Sequence, residues 1–175
     1  MKDIQQIVDL ASAYYGSAVL FAAIDCDIFA KVERGDLDVS SRGMRLLADA
    51  CVAEGLLEKR DGTYSNTPAG RIALIPGGPA DLTKAIRYNR DVYPAWGKLA
   101  EFVKTGRPVE RPETHLGEDP IRTKAFAAAM FGRAMGIGKG IVPMLSGLSG
   151  KILDLAGGPA AYAILMCQAN PGLFC

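Results

Sequence analysis

The stretch Lys151-Ile-Leu-Asp-Leu-Ala-Gly-Gly-Pro-Ala-Ala-Tyr-Ala163 limits what this chain can fold into more than any other segment. Apolar Ile152 and Leu153 lead into Asp154, two glycines and an Ala-rich helical pattern from Ala160 to Ala169. A strand, a tight turn and a helix in that order open a nucleotide-binding α/β domain. Glycine lets the backbone approach a ligand closely, and the start of the helix presents unpaired N–H groups to an anionic group. Further strand–helix units normally follow, because a lone unit cannot build a stable sheet. Pro171 to Cys175 supplies the beginning of a second strand, where the given sequence stops. The expectation is one corner of a ligand site, with Ile152 and Leu153 seeking a non-native partner such as the second subunit of a dimer.

Charge narrows the function classes. Lys plus Arg number 20 against 19 Asp plus Glu, so no global field draws the chain to nucleic acid or to an anionic membrane. The four cysteines (Cys26, Cys51, Cys167, Cys175) lack CxxC spacing and have one histidine for company, which argues against a metal site. Cys51 and Cys167 fall in apolar helical patterns and read as reduced core residues. The apolar run Ala18–Ile24 is too short to span a bilayer and meets Asp25 and Asp27 at once. Met1-Lys2-Asp3 begins no signal peptide. A soluble, cytoplasmic protein without a membrane or nucleic-acid partner is expected.

Ile4, Ile7, Val8, Ala11, Tyr14, Tyr15, Ala18 and Val19 recur at helical spacing, with Gly16 weakening the centre. A second apolar segment runs from Val19 to Val32. That much apolar surface is hard to hide inside a small domain and predicts packing against a second copy of the chain. Ser40-Ser41 caps a helix over Arg42–Glu54, which Gly55 ends. Leu56 to Ser65 reads as two short strands turned by Asp61-Gly62. Thr67-Pro68 opens a helix over Ala69–Ile75, closed by Pro76-Gly77-Gly78-Pro79. Helical spacing continues from Ala80 to Val103, broken at Tyr93-Pro94. The Pro-rich tract Thr105–Pro120 reads as a loop and a domain boundary. A further helix covers Ile121–Met135, after which Gly136, Gly138 and Gly140 loosen the chain.

Leu46 to Pro68, including Leu-Leu-Glu-Lys-Arg-Asp-Gly-Thr-Tyr-Ser, is similar to the winged-helix part of S-adenosylmethionine-dependent O-methyltransferases of the plant caffeate and acetylserotonin type. Trp96-Gly-Lys-Leu99 with Thr105-Gly106, then Phe126-Ala-Ala-Ala-Met130, then Ile152 to Pro159, continue the resemblance in order over almost the whole chain. It implies a homodimer with interlocked N-terminal helices and methyl transfer to a hydroxyl of a small, often aromatic, molecule. It also implies that Asp154, Ala156, Gly157 and Gly158 form the cofactor loop for S-adenosylmethionine. Ala156 and Ala160 stand where that family usually has glycine, and each methyl group removes clearance and φ freedom. Phe126 and Met130 match a pair lining the substrate pocket, though their four-residue spacing equally suits a core face. His115, the only histidine, lies in the Pro-rich loop and away from the family's catalytic position.

The implied fold is mainly α with a small winged-helix β-hairpin, followed by the first βα unit of a Rossmann-like methyltransferase domain. Residues 1–108 would be a winged-helix-like dimerisation domain, 109–150 linker helices, and 151–175 the start of the cofactor domain. One departure is that the segment between Val32 and Ser40 is short of the helix the winged-helix layout normally has there. The ribose-binding acid, the adenine-binding segments and the catalytic histidine are not among these residues. The 175-residue chain by itself is therefore expected neither to transfer methyl groups nor to hold the cofactor tightly. Two alternatives stand beside this reading. A winged-helix DNA-binding regulator would offer only Arg42 and Arg45 as basic contacts on its recognition helix, against Asp49 and Glu54. The other is a non-catalytic dimerising fragment.

Overall fold

The structure is a computed structural model that describes residues 3–78, 80–110 and 119–175. Met1, Lys2, Pro79, Pro112 and His115 lie outside the described residues. The described part is mostly helical with a small antiparallel hairpin, and it divides into two compact units, Met1–Thr83 and Lys84–Cys175. That division falls earlier in the chain than the Pro-rich tract.

The first unit opens with α1 (Ile4–Ser12), held by a capping box in which the Asp3 carboxylate accepts from Gln6 N at 2.8 Å and Gln6 Oε1 accepts from Asp3 N at 3.2 Å. The chain breaks at Ala13, not at Gly16, before α2 (Tyr14–Asp25). Gly16 has a packing role, since a Cβ there would meet the Glu54 carboxylate at 2.8 Å. Asp27, left-handed at φ 54°, splits the long apolar segment and starts α3 (Ile28–Arg34). Residues 35–41 carry no helix. Ser41 Oγ accepts from Met44 N and caps α4 (Arg42–Ala53). The hairpin pairs β1 (Leu57–Arg60) with β2 (Thr63–Asn66), and its turn places Asp61 at φ 48° and Gly62 at φ 79°. Both central residues are left-handed, which matches the twist of a two-residue hairpin. Thr67 then caps α5 (Pro68–Ala73).

Ala23, Ile24, Ile28, Phe29, Cys51 and Leu57 form the buried centre of this unit. Asn66 ties it together, donating to Phe29 O at 2.9 Å and to Glu33 Oε2 at 3.0 Å, while Arg71 pairs with Glu33 at 3.0 Å. α1 is different: no residue of it is buried, and Ile4, Ile7 and Val8 are 82%, 57% and 54% exposed.

The second unit holds α6 (Thr83–Trp96), α7 (Leu99–Thr105), α8 (Pro120–Ile141), a 3-10 turn over Val142–Leu145, β3 (Gly150–Lys151), α9 (Ala161–Ala169) and β4 (Leu173–Phe174). α6 runs through Pro94 and stops at Trp96. A proline in the last turn costs one hydrogen bond near an end that frays in any case, so the expected break at Tyr93-Pro94 does not occur. α8 likewise continues through Gly136, Gly138 and Gly140. Gly138 is buried, and a Cβ there would collide with the Leu165 side chain on α9. The glycine permits close approach of two helices instead of loosening one.

β3 and β4 pair in parallel, Gly150 with Leu173 and Lys151 with Phe174, and Ile152 N extends the ladder by donating to Phe174 O at 2.9 Å. The strand thus finds its partner within its own unit, in place of the non-native partner expected for Ile152 and Leu153. Ladder hydrogen bonds begin two residues earlier than the apolar pattern indicated, and Leu153 is left 84% exposed. Among the described residues, two helical stretches, Ile4–Asp25 and Pro120–Leu145, are long and apolar enough to cross a membrane by length and composition alone. The run Ala18–Ile24 is therefore part of a longer apolar helical stretch.

Candidate functional site

The turn between β3 and α9 is built from backbone that most residues avoid. Ala156, Gly158 and Ala160 take φ values of 59°, 57° and 57°. For the two alanines this left-handed geometry costs roughly 1–2 kcal/mol each, the physical form of the clearance problem their methyl groups pose. Ala160 N donates to Gly157 O at 3.0 Å and closes the turn. Gly157 has no room for a side chain, because a Cβ would fall on the Asp154 carboxylate. Asp154, Ala156, Gly157 and Gly158 are thereby brought together in one loop. Ala160, the N-cap of α9, gives no side-chain hydrogen bond to the helix start. The first N–H groups of α9 consequently have no capping side chain.

Behind the turn, Asn170 is 2% exposed and locks the unit. Its Oδ1 accepts from Leu148 N at 2.9 Å, and its Nδ2 donates to Met166 O at 2.9 Å. The segment entering β3 is so fixed to the end of α9, and the turn is held between them. Cys175 Sγ donates to Ala163 O at 3.5 Å. A hydrogen bond with Cys167, then lost solvation and the negative charges nearby, push its thiol up to about 11. Sequence reasoning assigned no role to Asn170. An Asn shortly before a turn is common, and its two partners are visible only once the chain has folded back.

A cavity of about 750 Å³ lies between α6 and α8. Tyr88 and Phe126 bound it, with ring centroids 5.5 Å apart and planes at 65°, an edge-to-face pair. Phe126 is thus a lining residue. Met130, one turn further along α8, is half-buried and does not bound this cavity. Among the described residues the rim carries Lys84, Arg87 and Arg90 from α6 and Arg122 and Lys124 from α8, with Asp91 and Glu110. Arg90 grips Asp91 at 2.7 Å, and Asp119 accepts from Ile121 N and Arg122 N to cap α8 at the cavity's edge. Lys84, Arg87, Tyr88 and Asp91 share one face of α6 at i, i+3, i+4 and i+7 spacing. That signal was legible in the sequence and had no partner surface to give it meaning.

Residues 8–75 match the family described as O-methyltransferase dimerisation domain. Over 182 residues the chain is 31% identical to 3-hydroxy-5-methyl-1-naphthoate 3-O-methyltransferase of Streptomyces sahachiroi, covering 95% of this chain and 52% of that protein. It is 28% identical to acetylserotonin O-methyltransferase of Mus musculus, covering 98% of this chain and 51% of that protein. The crystal structure of human N-acetylserotonin methyltransferase in complex with SAM superposes with a TM-score of 0.74 at 26% identity, over 98% of this chain and 58% of that one. The chain spans about half the length of the curated relatives it matches.

Proposed function

We propose that this chain, whose residues 8–75 match the O-methyltransferase dimerisation domain family, carries the dimerising segment and the opening of the cofactor site of an S-adenosylmethionine-dependent enzyme. Its reaction is methyl transfer to a hydroxyl of a small aromatic molecule. The observation that carries the reading is the left-handed Ala156–Ala160 turn between a parallel strand and a helix start without a capping side chain. It stands at the place in the chain where the resemblance requires a cofactor loop. We read α4 with the β1–β2 hairpin as a winged helix, and β3–α9–β4 as the first unit of a Rossmann-like sheet. The similarity to 3-hydroxy-5-methyl-1-naphthoate 3-O-methyltransferase and to acetylserotonin O-methyltransferase supports a small-molecule acceptor.

The residues present suit the cofactor. When bound, S-adenosylmethionine supplies an electrophilic methyl group on a sulfonium. Gly157 keeps the loop thin, Asp154 folds over it, and the start of α9 offers N–H groups to the polar part of the ligand. Tyr88 and Phe126 offer ring edges and faces to an aromatic acceptor. The work asked of the protein is orientation, since holding a nucleophilic oxygen and a methyl carbon in line removes much of the barrier.

A homodimer through α1 and α2 follows from the same premise. α1 exposes Ile4, Ile7 and Val8 on one face and carries Gln5 and Asp9, hydrogen-bonded to each other at 2.8 Å, away from that stripe. A helix that spans a bilayer is apolar all round, whereas a two-faced helix suits a protein partner. Nothing favours the DNA-binding reading: Arg45 is engaged with Val39 O at 3.4 Å and Asp49 with Lys59 at 2.6 Å.

Ultraviolet cross-linking with methyl-labelled S-adenosylmethionine tests the cofactor assignment, because it captures weak binding. Label is expected in the tryptic peptide that follows Lys151, and Gly157→Val should abolish it by displacing Asp154. Label confined to other peptides, or unchanged in Gly157→Val, would refute the assignment.

A further inference from the structure

We propose that Cys167 and Cys175 form a redox-sensitive clamp: oxidation joins them in a disulfide that fastens β4 to α9 and stiffens the loop of residues 154–158. This device is separate from the methyl-transfer chemistry and does not depend on it. The two residues lie on successive elements of one compact unit, Cys167 in the last turn of α9 and Cys175 directly after β4. The chain reverses between them through Pro171-Gly172, and Leu173 N donates to Asn170 O at 2.9 Å to close that turn. Cys175 Sγ donates to Ala163 O at 3.5 Å. Ala163 and Cys167 stand one turn apart on the same face of α9. A helical side chain leans back toward the N-terminus, which brings the Cys167 sulfur to the same place. The two thiols share a hydrogen bond there. Cys175 is exposed and Cys167 half-buried, so a small oxidant reaches the pair.

Two juxtaposed thiols suit either a metal or a disulfide. Among the described residues no group of three or more His, Cys, Asp or Glu side chains could hold a metal ion, which favours the disulfide. Folding has already brought the sulfurs together, so bridging them requires no unfolding. β4 is held to β3 by the Gly150–Leu173 and Lys151–Phe174 pairs and by Ile152 N, which donates to Phe174 O at 2.9 Å. A bond from Cys175 to α9 therefore connects both arms of the loop through β4, and a loop with fixed ends visits fewer conformations. Ala156 and Ala160, at φ 59° and 57°, hold left-handed backbone that persists only where its surroundings over-determine it. The disulfide adds to that constraint. The oxidant is a small disulfide such as oxidised glutathione. One cysteine thiolate attacks a glutathione sulfur, breaks its S–S bond and releases a glutathione thiolate. The second cysteine thiolate then attacks the protein-side sulfur of the mixed disulfide and expels the other glutathione. Two protein thiols lose two electrons, one glutathione disulfide gains them, and the two protons end on the two glutathione thiolates. The hydrogen bond with Cys167, then lost solvation, push the Cys175 thiol up to about 11. Such a sulfur leaves slowly once bonded, so the bridge resists reduction.

The test equilibrates the 175-residue protein in glutathione buffers from fully reduced to fully oxidised, quenches in acid, blocks free thiols with N-ethylmaleimide and digests with trypsin. No Lys or Arg follows Lys151, so both cysteines fall in one peptide. In oxidising buffer that peptide should take up no maleimide and weigh two hydrogens less than the unblocked dithiol. In Cys167→Ser the same peptide should instead retain one glutathione on Cys175. Amide hydrogen exchange over residues 153–160 should slow at least about fivefold on oxidation of the wild type and stay unchanged in Cys167→Ser. Cys26→Ser should behave like wild type. Cys175→Ser removes the exposed partner and gives the same answer where Cys167→Ser fails to fold. Maleimide on both cysteines in the most oxidising buffer, bridges to Cys26 or Cys51, or bridges between chains would overturn the proposal. So would a bridge that leaves loop exchange unchanged, or slowing that persists in the variants.

Discussion

Ile7→Asp is expected to take the dimer apart and leave the protomer folded. α1 has no buried residue, and Ile7 is 57% exposed in the stripe it shares with Ile4 and Val8. Burying a whole isoleucine side chain is worth about 1.5–3 kcal/mol, so the exposed share of Ile7 is worth about 1–1.7 kcal/mol. An interface on a two-fold axis meets every substitution twice, which doubles this to about 2–3.4 kcal/mol. A carboxylate facing the partner's apolar stripe adds a desolvation cost of at least ~2 kcal/mol. The total, about 4–5 kcal/mol, weakens association roughly a thousandfold. The protomer should tolerate the change, because an acidic residue near a helix start interacts favourably with the helix dipole. Sedimentation velocity over a concentration series gives the dissociation constant, and far-ultraviolet circular dichroism checks the helices. A dissociation constant within about threefold of wild type would refute the reasoning. So would a wild-type protein that stays monomeric at about 100 μM, a concentration at which even weak dimers form.

The remaining expectations concern stability, reactivity and the cofactor. The Asn66 amide and then Arg71 hold Glu33 below its usual value of 4.5, and Lys59 and then Tyr64 hold Asp49 below 3.8. Lowered carboxylates stabilise the fold above their unfolded values and lose that contribution as pH falls through the folded ones. Urea midpoints for the first unit should therefore drop steeply below about pH 4 and less steeply in Asp49→Asn; an unchanged slope would refute the assignment. Asn170→Ala should destabilise the second unit by about 2 kcal/mol, leaving Leu148 N–H and Met166 C=O without their partner, as read by thermal unfolding. Burial, then the charge of Glu54, pushes the Cys51 thiol up to about 11, and Cys175 reaches a similar value through Cys167. Iodoacetamide at neutral pH should modify both slowly, with Cys175 accelerating as pH approaches 11 and Cys51 reacting only on unfolding. S-Adenosylmethionine should show no tight binding to the 175-residue chain by calorimetry, since one loop offers a few hydrogen bonds of about 1 kcal/mol each. Micromolar affinity would refute that.

What could be read from the sequence was what short-range chemistry decides. Ser41 and Thr67 cap the helices that their hydroxyls announce, and Asp61-Gly62 turns the hairpin because both residues accept left-handed backbone. The same local rules misjudged Gly138 and Pro94. Gly138 looked like a weak point because its neighbour Leu165 lies on another helix, unknown until α8 and α9 pack. Pro94 looked like a break because its place in the last turn of α6 depends on where Trp96 ends the helix. The candidate site divides the same way. The loop residues Asp154 to Gly158 are contiguous, so their motif was visible, whereas the Tyr88–Phe126 pair joins positions far apart in sequence. Four-residue spacing put Phe126 and Met130 on one face of α8, yet of the two only Phe126 bounds the cavity. Periodicity assigns a residue to a face. Where along the face a ligand can sit is set by the crossing element, and here that element also brings the charge: α6 carries Lys84, Arg87 and Tyr88 on the face that meets Phe126.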